Sequence, residues 1–288
     1  MSNQKPVTRC KKQKTEDKRP LQKKGIGIIG GGNMGEALLS GILKNRLAPR
    51  NRISVSEALP SRRKALKKRY GIFVTGCSCE LAERSRIIVL AVKPQQMTEV
   101  LEAIGALREN TLVISIAAGI RLSFLTRYLG KLPIIRVMPN LPAAVGRGIS
   151  AMAKNRFTAK RHCTVAERLF QSVGETCWVS EARLDAVTAV SGSGPAYVAF
   201  WMAALARGAQ SLGLPAALSR RLLQKTFEGS TAYLLEKGIS PDLFIQKVAS
   251  KGGTTEAALR VFRTRRVSQT VKEALRRAVS RARQLSKE

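Results

Sequence analysis

The sequence predicts an α/β protein with a doubly wound, mostly parallel sheet, followed by an all-α region. Up to about residue 140, short apolar runs rich in isoleucine and valine alternate with segments of helical spacing. Beyond about residue 180 the pattern is helical throughout. Alternating strands and helices require crossover connections, which place the strands parallel in one sheet.

Five apolar runs are expected as buried strands of that sheet. Each is short, contains β-branched residues and stops near a glycine, a proline or a charged residue, as fully buried parallel strands do. The intervening segments repeat apolar residues at helical intervals, so we interpret them as crossover helices. The runs lie at 25–32, 52–57, 86–94, 111–119 and 132–140.

The first strand ends in a glycine fingerprint. Gly30, Gly32 and Gly35 give G-x-G-x-x-G at a strand-to-helix junction. The first glycine permits a tight turn, the second lets a pyrophosphate approach the backbone, and the third lets helix and strand pack closely. The next helix offers unpaired N–H groups to the phosphates. The fingerprint predicts a Rossmann dinucleotide-binding domain, with a glycine-rich turn that binds nothing as the alternative.

The identity of the dinucleotide stays open at this point. Glu57 ends the second strand, where an acid accepts hydrogen bonds from the adenosine ribose and favours NADH. Arg62 and Arg63 follow closely and can hold a 2′-phosphate, which favours NADPH. We predict that the arginine pair decides the preference, because Glu57 can rotate away from the phosphate.

Two long helices are expected after residue 185. The second, at 215–238, begins with proline and ends with glycine, as helices prefer. The first follows Pro195 and is apolar on nearly all sides over 196–212. Such a helix must be buried, and a domain of about one hundred residues has little room for it. We therefore expect a partner subunit to cover this helix and the protein to be an obligate oligomer.

Two further stretches stand at the starts of C-terminal helices. "SGSGPAY" (191–197) is not a nucleophile elbow, because Ser191 stands where the first glycine belongs; it is interpreted as a close-approach loop. "VASKGGTTEAAL" (248–259) places Thr254 and Thr255 directly before a new apolar run. A bare turn explains the glycines but not the paired threonines. Free N–H groups at a helix start suit an anion, so this stretch predicts a small-ligand contact.

Charge and composition restrict the remaining function classes. The formal net charge of +32 favours anionic partners. Lysine and arginine are spread along the chain and aromatic residues make up only 5%, so we expect incidental polyanion affinity. A nucleic-acid-binding protein is the alternative from a different class. The single histidine, His162, is expected on a helix surface and excludes a Ser-His-Asp hydrolase within one chain.

The cysteines and the N-terminus indicate a reduced, cytoplasmic protein. The five cysteines contain no CxxC, which predicts reduced thiols, no disulfide framework and no metal site. No apolar run approaches the roughly 18–20 residues of a membrane span. Residues 1–24 lack the apolar core of a secretory signal and mix lysine with acids. They are expected to form a disordered basic tail that is dispensable for activity.

Together the motifs resemble the pyrroline-5-carboxylate reductase family from about residue 25 to residue 286. The most specific are "SGSGPAYV" and "VASKGGTTEAAL", supported by "IGIIGGGNMGEAL" and "RVMPNLPAAVGRG". The resemblance implies a Rossmann domain at 25–180 and an all-α dimerisation domain at 181–288 that interlocks between two subunits. Dimers of this family often assemble further, commonly into decamers. The family reduces the C=N bond of L-1-pyrroline-5-carboxylate with NADPH or NADH to give L-proline.

The fingerprint, the arginines and the resemblance together predict the site residues. Thr255 is the expected catalytic side chain, and Asn140 is expected near the nicotinamide. The expected substrate-binding residues are Glu181, Ser250, Gly252, Gly253, Thr254 and Thr255. The expected cofactor-binding residues are Ile29, Gly30, Gly31, Gly32, Asn33, Met34, Gly35, Glu57, Arg62, Ser78, Val92, Lys93, Pro94, Ala118 and Asn140.

The sequence departs from the family pattern at four positions. Arg86 stands in place of a usual aspartate, and Leu141 in place of a threonine or serine. Ser78 replaces an asparagine at the adenosine end, and Lys251 replaces a proline before the glycines. None removes a group that the chemistry requires. A 3-hydroxyacid dehydrogenase is the alternative enzyme, and would need a lysine acid–base residue such as Lys225 or Lys237.

Overall fold

The computed structural model describes residues 25–285. Residues 1–24 and 286–288 lie outside the described part of the chain. The predicted basic tail and its dispensability therefore also lie outside the described residues. Within 25–285, no helix is long and apolar enough to cross a membrane.

One eight-stranded sheet organises the first half of the chain. The order is β3-β2-β1-β4-β5-β6-β7-β8. All neighbouring strands are parallel except β6 and β7, which are antiparallel. This is the doubly wound, mostly parallel arrangement that the sequence predicts. The strands are β1 Ile26–Ile29, β2 Ile53–Ser56, β3 Phe73–Thr75, β4 Ile87–Leu90, β5 Leu112–Ser115, β6 Ile134–Met138, β7 Gly148–Lys154 and β8 Gly174–Trp178.

Helices cover both faces of the sheet and bury two hydrophobic cores. The first core contains β-strand side chains packed on α1, α2 and α6, and the second packs on α3, α4, α5 and the short α7. Because both faces of the sheet are covered, the central strands are continuous apolar runs and do not alternate apolar with polar residues. These helices are α1 Asn33–Lys44, α2 Pro60–Tyr70, α3 Ser78–Arg84, α4 Met97–Ile104, α5 Leu122–Leu129, α6 Lys160–Gln171 and α7 Leu184–Val187.

The sequence pattern did not identify β3, β7 and β8. Strand β3 has only three residues, and β8 is the sequence "GETCW", which lacks an apolar run because it lies at the edge of the sheet. The expectation for His162 was also wrong. His162 lies in α6 as expected, but it is buried at 4% exposure, and its Nδ1 accepts from the Ala159 N–H at 3.2 Å. The histidine therefore closes the first turn of its helix.

Five helices form the last part of the described chain and confirm the predicted all-α region. Between residues 194 and 284, only Ser219 and Ala282 are buried. Large apolar side chains of the predicted all-round apolar helix are exposed instead, with Phe200 at 62% and Val198 at 48%. This half of the chain does not build its own core. The helices are α8 Gly194–Ser211, α9 Ala216–Lys237, α10 Pro241–Val248, α11 Thr254–Thr264 and α12 Val267–Leu285.

Candidate dinucleotide and substrate site

The carboxyl edge of the parallel strands gathers the predicted cofactor residues. Strands β1 and β4 are neighbours, but the chain leaves β1 toward β2 on the other side, which makes a topological switch point. Ligands of doubly wound sheets bind in the crevice at such a point. The residues that follow the six strand ends there are Gly30–Gly35 after β1, Glu57 after β2, Ser78 after β3, Val92–Pro94 after β4, Ala118 after β5 and Asn140 after β6.

The three fingerprint glycines differ in the space around them. Gly30 has φ +101°, and a Cβ on it would lie 2.5 Å from the Ala91 carbonyl oxygen at the end of β4. A Cβ on Gly35 would overlap the carbonyl oxygen of Gly30. A Cβ on Gly32 would meet nothing within 4 Å. The first and third glycines are therefore close-packed, while the second faces open space.

The backbone N–H groups at the start of α1 are hydrogen-bond donors next to this open space. No hydrogen bond within residues 25–285 reaches the amides of Asn33, Met34 and Gly35, and the N-cap Gly32 has no side-chain cap. Unpaired amides and the positive end of the helix dipole suit phosphate groups. The open face at Gly32 and these donors fit a dinucleotide pyrophosphate.

Glu57 contacts the glycine loop directly. Its Oε2 accepts from the Gly31 N–H at 2.9 Å, and its Oε1 accepts from the Leu59 N–H at 3.0 Å. Both carboxylate oxygens are therefore engaged with backbone. In this position Glu57 supports the loop that carries the fingerprint, beside the place where an adenosine ribose would lie.

The two arginines after β2 have different partners. Arg62 donates from Nε to the Gly31 carbonyl oxygen at 2.9 Å and pairs with Glu36 on α1. Arg63 donates from Nη1 to the carbonyl oxygens of Glu57 at 2.8 Å and Ala58 at 2.6 Å. The guanidinium of Arg63 also lies beside Gly76 in the β3–α3 loop. Arg62 thus stabilises the glycine loop, whereas Arg63 lies at the carboxyl ends of β2 and β3.

Glu36 is a site residue that the sequence did not indicate. Besides Arg62, its carboxylate accepts from Arg69 Nη1 at 2.9 Å and from the Tyr70 hydroxyl at 2.8 Å. Burial and the hydrogen bond to Glu36 raise the pKa of the Tyr70 hydroxyl above its usual value. This cluster ties α1 to α2 behind the glycine loop. Its members are too far apart in sequence for spacing to reveal it.

Ser78 begins α3 at the end of the third strand, and its hydroxyl lies 3.0 Å from the hydroxyl of Ser56. The neighbouring Cys77 and Cys79 are joined by a disulfide, so the expectation of reduced thiols was wrong for this pair. Cysteines two residues apart are not a sequence pattern that predicts a disulfide framework.

The other described cysteines, Cys163 and Cys177, are free thiols, and burial raises the pKa of both thiols. No group of three or more metal-ligating side chains occurs in the described chain.

Asn140 lies just after β6, at the carboxyl edge of the sheet, and the sequence predicts it near the nicotinamide. Its Oδ1 accepts from the Ile149 N–H at 3.0 Å, and its Nδ2 donates to the Ser191 hydroxyl oxygen at 3.2 Å. Asn140 therefore joins the sheet edge to the "SGSGPAY" loop. Ser191 therefore has a polar partner at this edge.

The Glu181 carboxylate binds groups of its own chain. Its Oε1 accepts from Arg136 Nη1 at 3.2 Å and from the Leu122 N–H at 2.7 Å. Asp185 lies on the same side, with Oδ1 3.8 Å from Arg136 Nη2. These contacts place Glu181 between β6 and the start of α5.

The hydroxyl-rich loop forms the start of α11. Gly252 has φ +72° and donates its N–H to Glu256 Oε2, while the Gly253 N–H donates to the Ser250 carbonyl oxygen at 3.0 Å. No hydrogen bond within the described chain reaches the amides of Thr254 and Thr255. Thr254 is exposed and Thr255 is half-buried. The hydrogen bonds of this loop stay within the loop and α11, so one chain alone does not join it to the carboxyl edge.

The lysines of the alternative enzyme lie on exposed helix surfaces. Lys225 pairs with Glu228 at 2.8 Å, and Lys237 pairs with Glu236 at 3.1 Å. The hydrogen bond to Glu228 raises the pKa of Lys225. Enzymes tune an acid–base lysine by burial, and both of these lysines are exposed, so this geometry disfavours a 3-hydroxyacid dehydrogenase.

Two family models match the two parts of the chain. Residues 25–119 match the family described as NADP oxidoreductase, coenzyme F420-dependent. Residues 181–285 match the family described as pyrroline-5-carboxylate reductase dimerisation. Together with the open glycine loop at the switch point, the first match defines an NAD(P)-dependent oxidoreductase.

Relatives that match nearly the whole chain identify the family. The pyrroline-5-carboxylate reductase of Synechocystis sp. is 38% identical over 262 residues, which cover 91% of this chain and 98% of the relative. The solved structure of the Coxiella burnetii reductase has a TM-score of 0.86 at 34% identity, covering 92% and 99% of the two chains. The Plasmodium falciparum reductase, solved with NADP bound, has a TM-score of 0.83 at 28% identity and the same coverage. The chain belongs to the pyrroline-5-carboxylate reductase family.

Proposed function

We propose that this protein reduces the C=N bond of L-1-pyrroline-5-carboxylate to give L-proline, with NADPH or NADH as hydride donor, in the final step of proline biosynthesis. The observation that carries the proposal is the open space over Gly32, lined by the unpaired amides that begin α1. Membership of the reductase family supports the same substrate.

The residues of the chain bind and orient the reactants. A bound dinucleotide would supply a hydride to the imine carbon, and the imine nitrogen would take a proton from solvent. The unpaired amides of Thr254 and Thr255 suit the substrate carboxylate, because a helix start favours an anion. The Thr255 hydroxyl donates a hydrogen bond to the ring nitrogen of the neutral imine, which polarises the C=N bond toward attack at carbon. Alignment of the two reactants is the main contribution of the protein.

We further propose that the site is shared between two copies of the chain. The loop at 250–255 and the carboxyl edge of the sheet have no hydrogen bond between them within one chain. Helix α8 exposes Phe200 and Val198, which a second copy would cover. The loop of one subunit would then reach the nicotinamide end of its partner. Dimers are proposed to assemble further, with a decamer as the expected form.

The oligomer is tested by sedimentation. We expect a stable dimer or a larger assembly at micromolar concentration, because the helical half buries almost no side chain on its own. A folded monomer of 31.4 kDa at that concentration would contradict the shared site.

The reaction is tested by following the oxidation of NADPH and of NADH separately, with the imine substrate added to the full-length protein. We expect imine-dependent oxidation of at least one cofactor and the formation of proline. The control omits the imine. The absence of turnover with both cofactors would contradict the proposed function.

Cofactor preference is expected to depend mainly on Arg63. Arg63 uses only Nη1 for its two carbonyl partners, which leaves its other nitrogens for a 2′-phosphate at the end of β2. Arg63→Ala should raise the KM for NADPH by roughly 10- to 150-fold and leave that for NADH nearly unchanged, because a hydrogen bond to a charged group contributes about 1.5–3 kcal/mol. Arg62→Ala is the matched control. It should affect both cofactors alike, since Arg62 braces Gly31. Equal effects of Arg63→Ala on both cofactors would refute this assignment.

A cytoplasmic location and an incidental affinity for polyanions remain proposals. The basic surface supports the second, and binding to nucleic acid should then weaken steeply with salt. A gel shift at several salt concentrations tests the affinity, and cell fractionation tests the location.

A further inference from the structure

The buried guanidinium of Arg136 is the strongest unexplained feature near the site. Arg136 lies in the middle of β6 at 5% side-chain exposure, among apolar strand residues. A buried charge is costly unless it is paired and hydrogen-bonded. Its placement inside the sheet layer therefore requires acidic partners from an element packed on that face.

Both partners come from one short segment. Glu181 and Asp185 are four residues apart, so successive helical turns present their carboxylates on one side. Glu181 lies 3.2 Å and Asp185 3.8 Å from the two terminal nitrogens of Arg136. Glu181 also accepts from the Leu122 N–H that begins α5. We call this group of Arg136, Glu181 and Asp185 the clamp.

Further contacts follow the same strand toward the carboxyl edge. Arg136, Met138 and Asn140 alternate along an extended chain, so they face the same side of the sheet. A Cβ on Gly192 would lie 2.5 Å from Met138 Cε, which shows how closely that turn approaches the strand. Asn140 Nδ2 donates to the Ser191 hydroxyl at 3.2 Å. Residues 181–192, which begin at the clamp, thus lie along β6 as far as the carboxyl end of that strand.

This alignment continues into the loop that follows α7. Residues 188–192 form a wide π-helical turn, and Gly194 begins α8. Besides the contacts of Gly192 and Ser191 with β6, the turn packs on α12 and on α7, the helix that carries Asp185. The clamp lies about one and a half turns earlier in the chain and ties α7 to β6.

We propose that the clamp is a positioning device for the reaction: it fixes the register of residues 188–194 on β6, and thereby places Ser191 and Asn140 beside the reacting groups. Glu181 and Asp185 act through Arg136 and do not touch the substrate. The proposal rests on the proposed function, since the reacting groups are those of the imine and the nicotinamide.

The test compares Glu181→Gln, Asp185→Asn and Arg136→Lys with the control Glu175→Gln. Lysine keeps the positive charge but cannot reach two carboxylates as a planar fork does. Glu175 is an exposed acid on β8 with no ion pair in the described chain. The three clamp variants should each lower kcat about tenfold, because a misplacement near 1 Å costs about 100-fold in rate and the loss of one ion-pair contact should move the loop by less than that. Their Kd for NADPH should stay within about twofold of the wild-type value, as should every constant of the control.

Hydrogen exchange supplies a measurement that does not depend on activity. The amides of 188–194 should exchange faster in Glu181→Gln, while those of β1 and α1 should be unchanged. A rise in the imine KM confined to Glu181→Gln, with unchanged kcat in the other two variants, would show a direct substrate contact and overturn the proposal. Uniformly faster exchange would show a general stabilising role and also overturn it. If the wild-type protein reduces no imine, the proposed function fails, and exchange still decides whether the clamp orders this loop.

Discussion

Replacing Thr255 with valine is expected to lower kcat/KM for the imine by roughly 30- to 150-fold. Valine keeps the shape of threonine and removes only the oxygen, so the ring nitrogen would lose its donor. The loss of one hydrogen bond to a reacting centre costs on the order of 2–3 kcal/mol. Thr255 is half-buried at the start of α11, where its hydroxyl and its unpaired amide lie beside each other. Steady-state kinetics with varied imine concentration measure the effect.

Thr254→Val is the matched control for that substitution. Thr254 is more exposed than Thr255, so the loss of its hydroxyl should have a milder effect. The Kd for NADPH should stay unchanged in both variants, because the cofactor binds the other domain. Near-full activity of Thr255→Val together with a loss in Thr254→Val would mean that the wrong threonine was assigned. Full activity of both would mean that the loop contributes only backbone.

Replacing Gly35 with alanine is expected to destabilise the fold and to abolish tight cofactor binding. The new methyl group would overlap the Gly30 carbonyl oxygen, and backbone cannot move aside as a flexible side chain can. Overpacking of this kind costs about 1–3 kcal/mol or more. Separation of α1 from β1 would also move the phosphate-binding amides out of hydrogen-bond distance of the pyrophosphate, so NADPH affinity should fall strongly. Denaturant unfolding and fluorescence titration with NADPH measure the two effects.

Gly32→Ala separates cofactor binding from folding. Gly32 has φ −70° and a Cβ there would meet nothing within 4 Å, so unfolding free energy should change by less than about 0.5 kcal/mol. The methyl group would instead occupy the path of the pyrophosphate, and NADPH affinity should fall strongly. Unchanged affinity in Gly32→Ala would show that the open space is not the cofactor path.

The fingerprint and the central strands could be predicted because their signals are local. Gly30 needs a left-handed conformation and Gly35 a close approach, and both requirements are imposed within one strand–helix junction. The short β3 and the edge strand β8 gave no such signal. Their formation depends on neighbouring strands that offer hydrogen-bond partners. Those partners cannot be identified from a polar sequence such as "GETCW". The burial of His162 likewise depends on the packing of α6 on the sheet.

The predicted site residues could be named from the sequence, but their contacts could not. Glu57 is predicted to bind the ribose, and in the structure its carboxylate accepts from the Gly31 N–H. Arg62 and Arg63 are adjacent in sequence, yet one braces the glycine loop and the other lies at the ends of β2 and β3. Adjacent helical residues point in different directions, and their partners come from segments far away in the chain.

The sequence by itself determined the class of fold, the dinucleotide fingerprint and the family, because each is specified by short stretches whose residue types and order are sufficient. Only the tertiary structure decided which groups meet: Glu36 with Arg62, Arg69 and Tyr70, and the buried Arg136 with two carboxylates. These pairs join residues from about 26 to 49 positions apart. Such contacts follow from the order in which the sheet arranges its strands and from the cost of burying a charge without partners.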